Sequence, residues 1–288
     1  MEIVIDKLTK KYGKKTVLDN VSLNITKGMY GLLGKNGAGK TTLMRILATL
    51  LEKDAGEITI CDISIEKTKE IRNIIGYLPQ EFSFYPNQTV YDALDYLGIL
   101  SGISTKERKV KIKKILEQVN LTKERNTTFK HLSGGMKRRL GIAQALLNDP
   151  KVLIVDEPTV GLDPEERIRF HNLLTELANS RIVLLSTHIV SDIETTCNNL
   201  AILHEGKVLF SGNAKKLKEK AQNKVFIIEV EKEKINKIKE KYKVINMIQE
   251  DNKIKCRIVS LITPKEKHTV VTPTIEDGYM YILESEKK

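Results

Sequence analysis

Gly34-Lys35-Asn36-Gly37-Ala38-Gly39-Lys40-Thr41 decides the reading of this chain, because it fits the pattern G-x-x-x-x-G-K-[ST]. The run before it, Met29 to Leu33, is apolar, and Leu43, Met44, Ile46, Leu47 and Leu50 follow it at helical spacing. A buried strand, a glycine turn and a helix are the context in which such a loop works. Glycines let the backbone curl so that its N–H groups converge on phosphate oxygens, and the helix start adds its positive dipole end. Lys40 can reach the outer phosphates, and the Thr41 hydroxyl can ligate Mg²⁺. The bland alternative, a glycine-rich turn, does not account for the flanking strand and helix.

Outward from the loop, two more apolar runs, Val152 to Val155 and Ile182 to Leu185, read as strands covered on both faces. Val21, Leu23 and Ile25 alternate with polar residues, as in a half-buried antiparallel strand. Short strands alternating with helical patterns predict an α/β fold. Between the first two buried runs lies a helix-rich stretch, about 88–148, in which Ser104 and Glu107 have capping-box spacing. It reads as a helical insertion in a nucleotide-binding core.

The second buried run ends in Asp156-Glu157-Pro158 and the third is followed by His188. Taken alone, the acidic pair reads as a cap for the next segment and the histidine as structural. Beside a phosphate loop, three strands ending on one sheet edge would bring them to the ligand. Asp156 would then hold the Mg²⁺ shell, Glu157 would orient or deprotonate water, and His188 would donate to the γ-phosphate. His131, His171, His204 and His268 have no such placement and read as structural.

Leu132-Ser133-Gly134-Gly135-Met136 opens another helical pattern, with a hydroxyl, bare amides and a helix dipole at its start. That makes a second anion loop. One nucleotide does not need two such loops from one chain, whereas two chains arranged head to tail would use both.

With these motifs in this order, the stretch 1–212 resembles the ATP-binding subunit of an ABC transporter. The resemblance implies a P-loop core with an antiparallel β subdomain and an inserted helical subdomain. It makes Gly34 to Thr42 the Walker A loop, with Thr42 included, and Gln80 the Q-loop glutamine that senses Mg²⁺ and the attacking water. Ser133, Gly134 and Gly135 become the signature loop, Asp156 and Glu157 Walker B and the catalytic glutamate, Asp163 the D-loop carboxylate, and His188 the switch histidine. Tyr12 would stack on adenine; otherwise it is an edge tyrosine packed on the core. ATP and Mg²⁺ are the implied cofactors. The implied partners are an integral-membrane permease and a second copy or a related ATPase subunit. Two positions depart from the family pattern, Met136 where Gln is usual and Gly161 where Ala is usual.

Aromatic-rich Glu81-Phe82-Ser83-Phe84-Tyr85-Pro86 falls where the family receives a permease helix, although the same rings read equally as core of the insertion. The segment 213–288 carries 18 basic against 12 acidic residues and reads as a small α+β appendage. Its predicted parts are a strand Val225 to Val230, a basic helix Glu233 to Lys241, a turn at Asp251-Asn252 and a strand Ile254 to Val259. The close, Pro273 to Tyr279, is similar to that of drug-, antibiotic- and peptide-export ATPases.

The 288 residues carry a net charge of +11, which raises an anionic partner without choosing one. No basic–aromatic platform supports nucleic acid. No apolar run reaches the ~18–20 residues of a membrane span, and the start lacks the pattern of a secretion signal. Cys61, Cys197 and Cys256 are too dispersed for zinc or a disulfide framework. The expected place is the cytoplasm, on the inner face of the membrane through the permease. A soluble ABC ATPase and an importer ATPase are the alternatives. Only 116 residues separate Lys40 from Asp156, without sustained heptads, which argues against a chromosome-maintenance member.

Overall fold

A computed structural model describes residues 1–250 and 253–286. The chain opens with β1 (Glu2–Tyr12) and β2 (Lys15–Thr26), then β3 (Gly28–Leu33), the phosphate loop and α1 (Lys40–Leu47). Strands β4 (Ala55–Ile60) and β5 (Ile63–Ser64) return to β1, and α2 (Thr68–Ile74) leads into β6 (Ile75–Leu78). The helices α3 (Val90–Leu100), α4 (Thr105–Gln118) and α5 (Gly134–Ala145) come next. They are followed by β7 (Val152–Asp156), α6 (Pro164–Ala178), β8 (Ile182–Thr187) and α7 (Val190–Thr196). After β9 (Asn199–His204) and β10 (Lys207–Asn213) come α8 (Ala214–Lys220), β11 (Val225–Glu231), α9 (Ile235–Lys241) and β12 (Lys243–Glu250). The last described elements are β13 (Lys253–Val259), β14 (His268–Val270) and α10 (Ile275–Ser285).

The described strands form an antiparallel sheet β2-β1-β4-β5, a mixed sheet β10-β9-β3-β8-β7-β6 and a second antiparallel sheet β12-β13-β11-β14. In the mixed sheet β6, β7, β8, β3 and β9 run parallel. Successive side chains of a strand point to opposite faces, so a strand covered twice must be apolar at every position. In β7, Val152 and Ile154 belong to the core that holds Leu43, Met44 and Leu47 of α1, whereas Leu153 and Val155 belong to the one that holds Leu140 of α5 and Phe170 and Leu174 of α6. In β2, by contrast, Val21, Leu23 and Ile25 are buried and the residues between them exposed. One face of that sheet meets water.

Local chemistry sets the helix starts. Ser104 caps α4 by accepting from the Glu107 amide at 3.4 Å, while Glu107 turns its carboxylate to Lys111 at 2.9 Å. Thr89 does the same for α3, accepting from Asp92. The insertion core holds Leu94, Ile112, Leu116 and Leu140, and Phe84 joins it, with its ring 5.4 Å from Phe129. Tyr85 is 69 % exposed. The aromatic segment therefore divides between the two readings, Phe84 to the core and Tyr85 to the surface.

The final quarter contains the expected strands and helix, with two strands and two helices besides. β12 is almost wholly exposed and β14 short, so neither shows a clean alternation; the turn at Asp251-Asn252 lies outside the described residues. The sheet packs Phe226, Ile228, Cys256 and Ile258 against Ile238 and Tyr242 of and after α9. Helix α10 then returns to the other end of the chain's core. Its Ile275, Tyr279 and Leu283 share a core with Leu217 of α8 and Ile193 of α7. A capping box at Thr274 and Asp277 starts it, Asp277 takes two bonds from Arg257, and the Ile275 amide donates to Glu194 of α7 at 3.1 Å.

Candidate functional site

The phosphate loop leaves β3 at the edge where parallel strands end, and its glycines have steric reasons. A Cβ at Gly34 would lie 2.4 Å from the Leu203 carbonyl oxygen. Gly39 has φ +107, and a Cβ there would lie 2.9 Å from the Val17 carbonyl oxygen. No side chain caps α1 and no acid occupies its first turn, so its first amides are left for an anion.

Above the loop is a cleft of about 810 Å³. Asn36, Gly37, Gly39, Lys40, Thr41 and Thr42 line its floor, Tyr12 stands at one wall, and Gln80 and Glu157 face it from another. Tyr12 is 49 % exposed, so its ring is not consumed by the core. Gly34 and Ala38 are buried behind the cleft, and Lys35 is exposed beside it.

Lys40 is buried, and each of its three ammonium protons has an acceptor within reach. Its Nζ lies 2.7 Å from the Gly34 carbonyl oxygen, 3.1 Å from that of Lys35 and 2.9 Å from Glu157 Oε1. The other Glu157 oxygen is 2.8 Å from His188 Nδ1. An ionised carboxylate can only accept, which places a proton on that ring nitrogen. Glu157 has φ +44, a left-handed backbone that costs a non-glycine residue about 1–2 kcal/mol. Its amide donates to the Ser186 carbonyl oxygen at 3.1 Å, which holds the turn. Asp156 sits at the end of β7, fully buried; Oδ1 accepts the Ser186 hydroxyl proton, and Oδ2 has no protein partner. A buried carboxylate oxygen without a donor beside a phosphate loop suits a cation.

Ser133, Gly134, Gly135 and Asp163 do not line this cleft. Ser133 caps α5, accepting from the Met136 amide at 3.2 Å, and the first turn of α5 holds no acid. Asp163 caps α6, accepting from Glu166 at 2.9 Å, with Pro164 next to it. Gly135 is closed in from behind, since a Cβ there would meet Glu166 Oε2 at 2.2 Å. Ser133 and Gly134 are exposed. The phosphate loop and the Ser133–Gly135 loop thus do not share one cleft. Between them, Arg138 of α5 donates to the Gln80 carbonyl oxygen at 2.6 Å, joining the helix begun by Ser133 to the loop that follows β6.

Sequence reasoning did not find Arg138, Ser186, Thr159, Thr187 or Asp192. Their positions carry no motif; Ser186, Thr187, Thr159 and Asp192 are polar residues at or shortly after the end of an apolar strand, and Arg138 lies inside α5 with no such signal. His171, read as structural, lies 3.1 Å from Asp192.

The fold and cleft define a P-loop nucleotide-binding protein with an inserted helical subdomain. The family model "ABC transporter" matches residues 18–160. The chain is 40% identical over 232 residues to the uncharacterized ABC transporter ATP-binding protein YxlF of Bacillus subtilis, covering 80% of this chain and 77% of that one. It is 40% identical over 213 residues to the Nod factor export ATP-binding protein I of Paraburkholderia xenovorans, covering 73% and 70%. To the linearmycin resistance ATP-binding protein LnrL of B. subtilis it is 36% identical over 210 residues, covering 72% and 68%. Among solved structures, the dimeric bacterial ABC transporter cassette MJ0796 superposes with a TM-score of 0.66 at 27% identity, covering 73% of this chain and 98% of that one. The chain therefore belongs to the ATP-binding proteins of ABC transporters. It binds ATP, and as an ABC ATPase it couples ATP hydrolysis to transport.

Proposed function

We propose that this chain, as half of a two-ATPase sandwich, powers an exporter. Tyr12 stacks on adenine, and the amides of Gly37, Ala38 and Gly39 with Lys40 neutralise phosphate charge. Thr41, Gln80 and Asp156 would hold Mg²⁺, which would offset charge on the outer phosphates. Glu157 accepts the proton of the attacking water, and His188 keeps Glu157 oriented while its other ring nitrogen faces the γ-phosphate. Ser133, Gly134, Gly135 and Asp163 act on the nucleotide of a second copy or a related subunit. Positioning and electrostatic stabilisation are most of what phosphoryl transfer asks of a protein. Loss of the γ-phosphate charge then lets the halves part.

The observation that carries this reading is the exposed, acid-free start of α5, an anion site outside the chain's own cleft. A mixing experiment tests it. Lys40→Ala spoils the loop and Ser133→Arg spoils the signature, so each homodimer is dead. A mixed dimer keeps one intact site, and an equal mixture should regain roughly a quarter of the wild-type sites and hence measurable turnover. No recovery above the separate variants would defeat the shared-site reading.

Residues 1–212 form the motor in this proposal, with 88–148 as its helical insertion, and 213–288 a basic appendage fastened to it through α10. An integral permease holds the pair at the inner face of the membrane; no helix among the described residues is long and apolar enough to cross one. Outward transport is the direction we infer from the relatives named for Nod factor export and linearmycin resistance. Tyr85 is exposed, and in this proposal it forms part of the surface that meets the permease. Tyr85→Ala should leave the ATPase rate of the isolated protein within about twofold, since it removes no buried contact, while abolishing transport by vesicles carrying the whole complex. Unchanged transport per ATP would remove Tyr85 from the coupling surface.

A further inference from the structure

We propose that Asp192 is a positioning residue that holds Glu157 and His188 together in their reacting geometry. The proposal rests on the roles given to those two residues above. The backbone explains why such a residue is needed. Parallel pairing of β7 with β8 stops at Asp156 opposite Ser186, and the Glu157 amide makes its bond to Ser186 just beyond. Past that point both strands give way to loops, and these loops carry Glu157 and His188.

Asp192, fully buried on α7 one helical turn after His188, spans the gap. Its Oδ2 accepts from Thr159 Oγ1 at 2.8 Å and from Thr187 Oγ1 at 2.8 Å. Thr159 is two residues after Glu157, and Thr187 is the residue before His188. One oxygen therefore clamps the loop of the base to the loop of the histidine. The Thr187 hydroxyl also accepts from the Ile189 amide at 3.0 Å, so the backbone is held on both sides of His188. The Oδ1 atom accepts from Arg167 Nε at 2.7 Å and faces His171 Nε2 at 3.1 Å, which ties α6, the helix begun by Asp163, to the same carboxylate.

Burial alone would raise the Asp192 pKa, but bonds from His171, Thr187, Arg167 and Thr159 outweigh it and hold the carboxyl down to about 2. The clamp is thus charged across the working pH range. Asp192 touches neither the phosphate loop nor the cleft lining, so nucleotide affinity should not depend on it.

The test uses the full chain and single-turnover hydrolysis at saturating ATP, beside titration with a fluorescent ATP analogue. Asp192→Asn keeps the shape and removes the charge; Thr159→Val and Thr187→Val remove one bond each and serve if the first variant folds poorly. A displacement of about 1 Å at a reacting group costs on the order of 100-fold, so Asp192→Asn should slow hydrolysis about 10–100-fold with affinity within about twofold. The threonine variants should do the same to a smaller degree. On a His188→Ala background the additional loss should shrink to under about twofold, because the clamp then has little left to position. A rate within about twofold of wild type for Asp192→Asn, or full rates for both threonine variants, would overturn the proposal. So would an undiminished loss on the His188→Ala background, which is what a merely structural role gives. A normal rate for His188→Ala alone would overturn the role of His188 and this proposal with it, whereas slow His188→Ala beside normal Asp192→Asn defeats the clamp alone.

Discussion

Glu157→Gln should cut ATP turnover by about 100- to 10,000-fold, the usual worth of a general base, while ATP-dependent dimerisation persists. The two effects separate because of where the carboxylate sits. One oxygen faces Lys40 and the other His188, both donors, at 2.9 Å and 2.8 Å. The glutamine amide can still accept from Lys40 at one end. At the other end its N–H₂ meets His188, whose ring can exchange tautomers and accept at Nδ1. The fold and the phosphate loop therefore survive the change, and what disappears is the ability to take a proton from water. Phosphate release in steady state, with size-exclusion chromatography in ATP, measures both. Near-normal turnover would remove Glu157 from the role of base.

Lys40→Met should weaken ATP binding at least about 100-fold and destabilise the nucleotide-free protein by roughly 3–5 kcal/mol, the cost of breaking a buried ion pair from one side. Lys40 and Glu157 have side chains only 4% and 6% exposed, and the Gly34 and Lys35 carbonyl oxygens lose a donor in the same step. Most of the stability loss is the stranded charge of Glu157. The double variant Lys40→Met, Glu157→Gln should therefore be more stable than Lys40→Met alone, although it carries one more substitution. Urea midpoints of the single and double variants decide it; strictly additive losses would mean that the pair contributes nothing before nucleotide arrives.

Much of the site was legible because its chemistry is local. Glycines at 34, 37 and 39, the lysine at 40 and the hydroxyl at 41 act through one turn of backbone, and a turn is written in consecutive residues. The doubly covered strands were legible for a similar reason, since the runs Val152 to Val155 of β7 and Ile182 to Leu185 of β8 must be apolar when both faces are roofed. Less legible was what the strands carry past their ends. The Lys40–Glu157 pair joins residues far apart in the chain, and the carboxylate of Asp192 gathers threonines from two loops. No spacing rule links such residues, because the sheet brings them together only after three separate strands have been laid in order.

The tail teaches the same lesson from the other side. β12 lies at a sheet edge with both faces mostly in water, so burial imposes no period on it, and α10 owes its place to Leu217, Ile193 and Glu194, which lie far from it in the chain. By itself the amino-acid sequence determined the kind of ligand and the class of fold, and it supplied the side chains proposed to surround the phosphates, since each depends on residues that are neighbours or share a strand. The tertiary structure alone decided that Lys40 meets Glu157, that one buried carboxylate, Asp192, bonds both Thr159 and Thr187, and that the last helix shares a core with α7 and α8. Those outcomes depend on distances between elements, and such distances are set only when the whole core packs.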